Sequence, residues 1–307
     1  MPASHQKIGT HKTDDSSFLS SDDNDNTASW LQPDPYTTGT TAATTSYAPA
    51  ATGNLFLTEA GDTSAISIND INQGQLGDCY LLSSIGEEAL FHPKAITGMI
   101  HNNGNGTQTV TLYRAANGAL LNASNYWTTG FKPVQVTVTD QFPTQAVNDY
   151  GRAMVGGQQE IWPQVIEKAY AQLYGGYNAI GNGGYPFIAM EVLTGQPAAW
   201  SAPTAMTLTQ LRSDISLGDL LTFDTRNASN LPYGLVGSHA YMFEALTTQN
   251  GITTLTLRNP WGSVPWAGSG YKENVSIPVT LGARGELQSL AAAGIAEIDI
   301  GRPMAMT

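Results

Sequence analysis

The chain holds a single cysteine, Cys79, among 307 residues. An intramolecular disulfide and a thiolate-rich zinc site within the chain are therefore both excluded, so the fold has to be held by packing and hydrogen bonding. The length suffices for one large domain or two modest lobes with real cores. A lone cysteine is ordinarily a small buried hydrophobe, and only its neighbourhood can argue for chemistry. Here the neighbourhood reads Gln73-Gly74-Gln75-Leu76-Gly77-Asp78-Cys79-Tyr80. Leu82, Ile85, Ala89 and Leu90 then recur at helical spacing as far as Phe91, and His92-Pro93 ends the run. The sulfur is thereby placed at a helix N-terminus, where unpaired N–H groups and the helix dipole favour a thiolate. The glycines let the backbone turn tightly and let a second molecule approach.

The rest of the pattern predicts an α+β chain. Thr107 to Tyr113 and Val134 to Val138 alternate as strands do, and Ile161 to Leu173 predicts a second helix with Trp162, Val165, Ile166, Ala169 and Leu173 on one face. A Gly-rich stretch, 175–184, follows. Beyond about residue 200 the texture turns to strands, at 220–223, 239–246 and 252–257. The expected architecture is a helical first lobe over 51–198, an antiparallel β-rich second lobe over 199–307, and a site between them. Residues 1–50, rich in Ser, Thr, Asp and Ala with few large apolar side chains, predict a disordered tail.

Acidic residues number 25 against 13 basic, a net charge of −12, which sets the chain against phosphate backbones and anionic lipid. Nucleic acid is not an expected partner. No apolar run approaches the ~20 residues of a membrane helix, and the N-terminus lacks a basic-then-apolar signal pattern. A cytoplasmic protein is expected, with non-classical export as the alternative.

A thiolate nucleophile needs a base, and the base needs an orienting group. Of five histidines, His5 and His11 lie in the tail, His92 ends a helix, and His101 sits in a polar loop beside Asn102-Asn103-Gly104. His239 instead opens an apolar strand, Ala240-Tyr241-Met242-Phe243, and Asn259 closes the next one. Asn250-Gly251 marks the turn between them. A two-residue loop there would pair Gln249 with Ile252 and set His239 and Asn259 on opposite faces. A three-residue loop, Gln249-Asn250-Gly251, would pair Thr248 with Ile252 and set Asn259 opposite Tyr241. Asn259 would then be diagonal to His239, about 7–8 Å away at the backbone and within side-chain reach. That second geometry, which permits an Asn–His hydrogen bond, is the one expected.

At this point four segments, in this order, resemble the calpain family of cysteine proteases. Gln73 to Tyr80 resembles its nucleophile motif, with tyrosine where tryptophan is usual. Glu167-Lys168-Ala169-Tyr170-Ala171 resembles part of its first-lobe helix. Gly237-Ser238-His239-Ala240-Tyr241 resembles its histidine motif, with serine where glycine is usual, and Leu257 to Trp266 resembles its asparagine motif. The resemblance implies a papain-like two-lobe fold with Cys79 as nucleophile, His239 as general base and acid, and Asn259 orienting the imidazole. It also implies Gln73 as a side-chain oxyanion donor beside the Cys79 N–H, and Trp261 as a shield over the Asn–His bond. The implied activity is that of a calcium-dependent-type endopeptidase hydrolysing polypeptide substrates through a thioester acyl-enzyme.

That chemistry requires no cofactor, and calcium enters only through the resemblance. Asp70 and Glu167 fall where acidic ligands of a first-lobe calcium site would stand, with structural hydrogen bonding as the competing role for Glu167. Pro265 replaces the glutamate of a second-lobe site, which is expected to be lost, since calcium takes six or more oxygen ligands. No EF-hand pattern occurs. An acyl transferase of the transglutaminase kind is one alternative, and Asn259 speaks against it because those enzymes usually place Asp there. A non-catalytic module derived from a protease is another, against which the joint retention of Gln73, Cys79, His239 and Asn259 speaks.

Overall fold

The structure, a computed structural model, describes residues 47–49, 53–58, 64–126, 130–143, 159–262 and 271–304. Two short pairings frame its start. Strand β1 (Tyr47–Pro49) runs antiparallel to β6 (Gln141–Pro143), and β2 (Gly53–Asn54) runs parallel to β7 (Gln159–Glu160). Strand β1 lies inside the segment read from sequence as tail. The remainder of that segment, 1–46 and residue 50, lies outside the described residues.

Helix α1 (Cys79–Phe91) has the span that its spacing predicts, and every residue from Cys79 to Ala89 is buried. A helix apolar on most sides belongs inside a core rather than on a surface. After His92, helix α2 (Pro93–Met99) begins with proline, whose missing N–H costs nothing at that position. Strands β3 (Ile100–Asn102), β4 (Thr107–Ala115) and β5 (Phe131–Thr139) form an antiparallel sheet. Along β4 the residues Gln108, Val110 and Leu112 turn inward. His101 stands on strand β3 rather than in a loop. Helix α3 (Trp162–Tyr174) ends at Gly175 in the left-handed region, φ 98°. Helices α4 (Tyr177–Ile180) and α5 (Pro186–Thr194) follow, and all nine residues of α5 are buried. The inward faces of these elements form one apolar cluster.

The second cluster covers the other face of a six-stranded antiparallel sheet. Its strands are β8 (Ala198–Ser201), β9 (Leu220–Thr225), β10 (Ala240–Gln249), β11 (Ile252–Arg258), β12 (Asn274–Pro278) and β13 (Ile295–Gly301), in the order β12-β11-β10-β9-β13-β8. Helices α6 (Leu208–Leu217) and α7 (Gln288–Ala293) complete it. The whole is an α+β, papain-like arrangement in which α1 lies against the sheet. Alternation along β10 divides the two cores: Ala240 and Met242 face the first, Tyr241 and Phe243 the second.

Three contacts press α1 onto the sheet. Ser83 Oγ donates to Ala240 O at 3.0 Å. A Cβ on Gly86 would stand 2.1 Å from Met242 Sδ, so only glycine allows this approach. The Glu87 carboxylate accepts the backbone N–H groups of Leu221 at 3.1 Å and Phe243 at 2.6 Å. Burial pushes the Glu87 carboxyl up from the usual range, and these two N–H bonds oppose the shift. At the far end of the helix His92 Nε2 meets Gly218 O at 2.6 Å, so His92 joins the helix end to the turn before β9.

Glu191, near the middle of α5, is a second buried carboxyl, whose Oε1 accepts the Ala198 N–H at 3.2 Å. Burial pushes it from 4.5 up to about 8, partly opposed by that bond. The native state thus keeps a proton that the unfolded chain releases above about 4.5. The stability it contributes is fully present below that pH and is lost as pH rises through about 8. Glu191→Gln retains the acceptor oxygen without the charge. In thermal melts it should match the parent near pH 5 and exceed it near pH 9, the gap opening in between. Melting curves that stay parallel across that range would contradict the assignment.

Candidate active site

The loop that leads into α1 is pinned on two sides. Gly77 N donates to Gly181 O at 3.1 Å and Gly183 N donates to Gly77 O at 2.8 Å, so the Gly-rich stretch serves as its backing. Gln73 N donates to Pro260 O at 2.7 Å, which ties the loop to the residue after Asn259. Gly262 seals that junction at φ 57°, where a Cβ would stand 2.0 Å from Asn72 Oδ1. Cys79, 8% exposed, heads the helix, and Ser83 one turn on bonds the carbonyl of Ala240, the neighbour of His239. These two ties bring the Cys79 loop and the His239–Asn259 strands into one neighbourhood. Tyr80 is buried edge-on against Tyr170, with centroids 6.4 Å apart, so the aromatic after the cysteine is a core residue.

The hairpin carrying His239 and Asn259 differs from expectation in its turn and agrees in its outcome. Gln249 pairs with Ile252, so the loop is the two-residue Asn250-Gly251, at φ 50° and 80°. Both positive values are what a type I′ turn requires. Continued unbroken, that register would have set His239 and Asn259 on opposite faces. A bulge between Phe243 and Ala245 makes Glu244 the extra residue, and the ladder resumes with Phe243 opposite Leu257 and then Met242 opposite Arg258. One step further sets Asn259 opposite Tyr241.

His239 Nε2 then lies 2.8 Å from Asn259 Oδ1. The same oxygen accepts the Trp261 backbone N–H at 3.0 Å, which identifies it as the amide oxygen rather than the nitrogen. An acceptor facing Nε2 requires Nε2 to carry the proton, so in the neutral ring Nδ1 is the basic atom. Trp261, 1% exposed, lies 4.8 Å from the His239 ring and Tyr241 lies edge-on at 5.0 Å. The backbone of His239 is fixed to Thr225, whose hydroxyl accepts its N–H at 3.0 Å and whose N–H reaches its carbonyl at 3.0 Å. Ser238 sits at φ 54°, the left-handed region that favours glycine, so the serine there carries backbone strain of about 1–3 kcal/mol.

Gln73 is fully buried. Its Nε2 donates to Leu76 O at 2.6 Å and approaches Asp78 Oδ1 at 3.5 Å, while Oε1 has no hydrogen-bond partner. Asp70 Oδ2 accepts the Ser67 N–H at 2.7 Å in a capping box and the Trp162 indole N–H at 3.2 Å. Glu167 is fully buried within α3. Among the described residues no group of three or more His, Cys, Asp or Glu is arranged to hold a metal ion. Asp70 Oδ2 thus serves a helix cap and an indole. Pro265 and Trp266 lie outside the described residues. Sequence reasoning missed Glu87, Thr225 and the bulge at Glu244; none carries a motif signal.

A cysteine heading a helix that lies on an antiparallel sheet, with a His–Asn pair on that sheet, defines the papain-like class of cysteine proteases. The chain belongs to the calpain family within it: the model of the calpain family cysteine protease matches residues 10–276. Calpain-9 of Rattus norvegicus is 32% identical over 218 residues, covering 65% of this chain and 29% of the rat protein. The Calpain-1 catalytic subunit of Mus musculus is 30% identical over 233 residues, covering 68% of this chain and 30% of the mouse protein. Calpain clp-4 of Caenorhabditis elegans is 31% identical over 211 residues, covering 63% and 27% respectively. The chain thus spans less than a third of the length of these relatives. Among the described residues no helix is long and apolar enough to cross a membrane.

Ring-nitrogen NMR of the neutral His239 should show a protonated Nε2 and an unprotonated Nδ1, and Asn259→Ala should abolish that preference. A protonated Nδ1 in the parent protein would contradict the arrangement.

Proposed function

We propose that the chain is a cysteine endopeptidase that cleaves polypeptides through a thioester formed on Cys79. The observation that carries this reading is the His239–Asn259 bond, which commits Nε2 to Asn259 and makes Nδ1 the basic atom. Nδ1 takes the thiol proton, and the sulfur attacks the substrate carbonyl carbon. The oxyanion is met by the Cys79 backbone N–H and by the Gln73 amide hydrogen that Leu76 O does not hold. The long 3.5 Å approach to Asp78 leaves that hydrogen only weakly engaged. The imidazolium then returns its proton to the leaving amine. Next, Nδ1 takes a proton from water as its oxygen attacks the thioester carbonyl, the carbon–sulfur bond breaks to release the acid, and the imidazolium returns its proton to the sulfur. Trp261 keeps water from competing for Asn259 Oδ1. Turnover is proposed to need no metal, because Asp70 Oδ2 already takes the Ser67 N–H and the Trp162 indole N–H.

The test is turnover of an unfolded, casein-like substrate by the parent and by Cys79→Ala, each with chelator and with added calcium. The parent should cleave at equal rates in both conditions. Cys79→Ala should lose at least about a thousandfold, as removal of a nucleophile does. A Cys79→Ala protein that cleaves as fast as the parent would overturn the reading, and so would amine incorporation without peptide cleavage. A rate that rises only with calcium would overturn the metal-independent part alone.

A further inference from the structure

The sheet face that meets α1 and α5 carries a group of carboxyls that the peptidase chemistry does not use. Asp224 on β9 pairs directly with Ala240, the residue after His239, and Glu297 on β13 pairs directly with Asp224. Asp299 and Thr222, paired with each other, stand two residues along and so on the same face. Ala240 and Met242, which point into the first core, fix that face as the one turned toward the helices. Asp224, Glu297 and Asp299 are 8%, 6% and 0% exposed.

Asp299 Oδ2 accepts the Thr222 hydroxyl at 3.0 Å. Asp224 Oδ1 is buried with no hydrogen-bond partner, while Glu297 and Asp299 are hydrogen-bonded to each other through their carboxyls. The charges acting on Asp224 and Glu297 are those of the cluster itself: Asp299 acts on Asp224, and Asp299 and Asp224 act on Glu297. Burial first, then this mutual repulsion, push Glu297 up to about 10 and Asp224 well above the carboxylate range. Left alone, such a group keeps its protons, and an arriving cation displaces them, because buried like charges oppose one another and a buried carboxyl is costly to ionise without a partner. Its remaining exposure lies at Asp224 and Glu297, the end next to His239. Half-buried Tyr185, close enough for Glu297 to act on its hydroxyl, stands beside that end. The closed end is Asp299, which the Phe187 N–H at the start of α5 meets.

We propose that Asp224, Glu297 and Asp299 form a specificity pocket that receives the Lys or Arg side chain of a peptide lying in the cleft at His239. The inference rests on the peptidase reading and narrows its substrates to basic ones. Ala240 and Glu297 are two strand spacings apart, about 10 Å, so a long side chain entering beside His239 reaches the three carboxyls. A guanidinium brings five N–H donors, enough for the Asp224 oxygen and for the carboxyls beside it. The net charge of −12 draws basic segments toward the protein in general.

The test uses binding, so it does not depend on turnover. Cys79→Ala protein is titrated, by fluorescence anisotropy, with labelled peptides identical except at one position. That position is scanned along the peptide and holds Arg, its neutral isostere citrulline, or Leu. At one position the Arg peptide should bind at least about tenfold tighter than the citrulline peptide. The advantage should vanish in the Asp224→Asn, Glu297→Gln double variant made in the same background. Should that pair unfold, each single substitution serves, its fold checked by thermal melt. Equal binding of the three peptides at every position, or an Arg advantage that survives the substitutions, overturns the pocket. Arg-selective binding by a parent protein that cleaves nothing would count against the peptidase reading and leave the pocket standing.

Discussion

The seam between α1 and the sheet is the contact on which the arrangement of the site depends, and Glu87 is its centre. Strands β9 and β10 are paired from Ala240–Asp224 to Met242–Thr222. Beyond that last pair, Leu221 N and Phe243 N turn to the Glu87 carboxylate. Left without it, each of those buried N–H groups would cost about 1–3 kcal/mol. Glu87 lies eight residues after Cys79 on the same helix, about 12 Å along its axis. A clamp at that distance on a buried, rigid helix fixes where Cys79 stands relative to the strand that begins after His239. Gly86 and Ser83 make the same contact closer still. Cys79 and His239 thus come from the helix and from the sheet that this seam joins.

The second constraint is register. Strand side chains alternate with a period of two, so a one-residue slip exchanges the faces. A tight Asn250-Gly251 turn alone would have parted His239 from Asn259, and the bulge at Glu244 restores the match. The juxtaposition was legible in the sequence, because both residues stand at the ends of adjacent apolar runs. The device that produces it was not. Asn-Gly is a strong turn signal, whereas nothing in Phe243-Glu244-Ala245 announces an extra residue. A longer loop and a tight loop with a bulge give the same count, and only coordinates distinguish them.

The other differences have similar causes. Helices α1 and α3 show a clear period or a clean start and stop, and each was read to within a residue or so. Helix α5 is buried on every side, so its residues carry no period to read. Helix α6 buries only Leu211 and Asp214, too few for a stripe. Strand β13 turns Glu297 and Asp299 into the protein, where polarity alone would send them to solvent. That inversion of the usual rule hid the strand, and it also created the carboxyl cluster beside His239. The Asn259 oxygen, taking both the imidazole and the Trp261 N–H, was legible only as a possibility of geometry; its second donor fixes the tautomer.

The central claim is that the sulfur of Cys79 forms a covalent acyl bond during turnover, and the most direct measurement is to trap it. The protein is mixed with an activated ester of a peptide, quenched in acid within the first turnover, and its intact mass and peptide map are recorded. The account predicts a mass increase equal to the acyl group, confined to the peptide containing Cys79 and released by hydroxylamine as a thioester is. Turnover without any adduct, or an adduct on another residue, would contradict it.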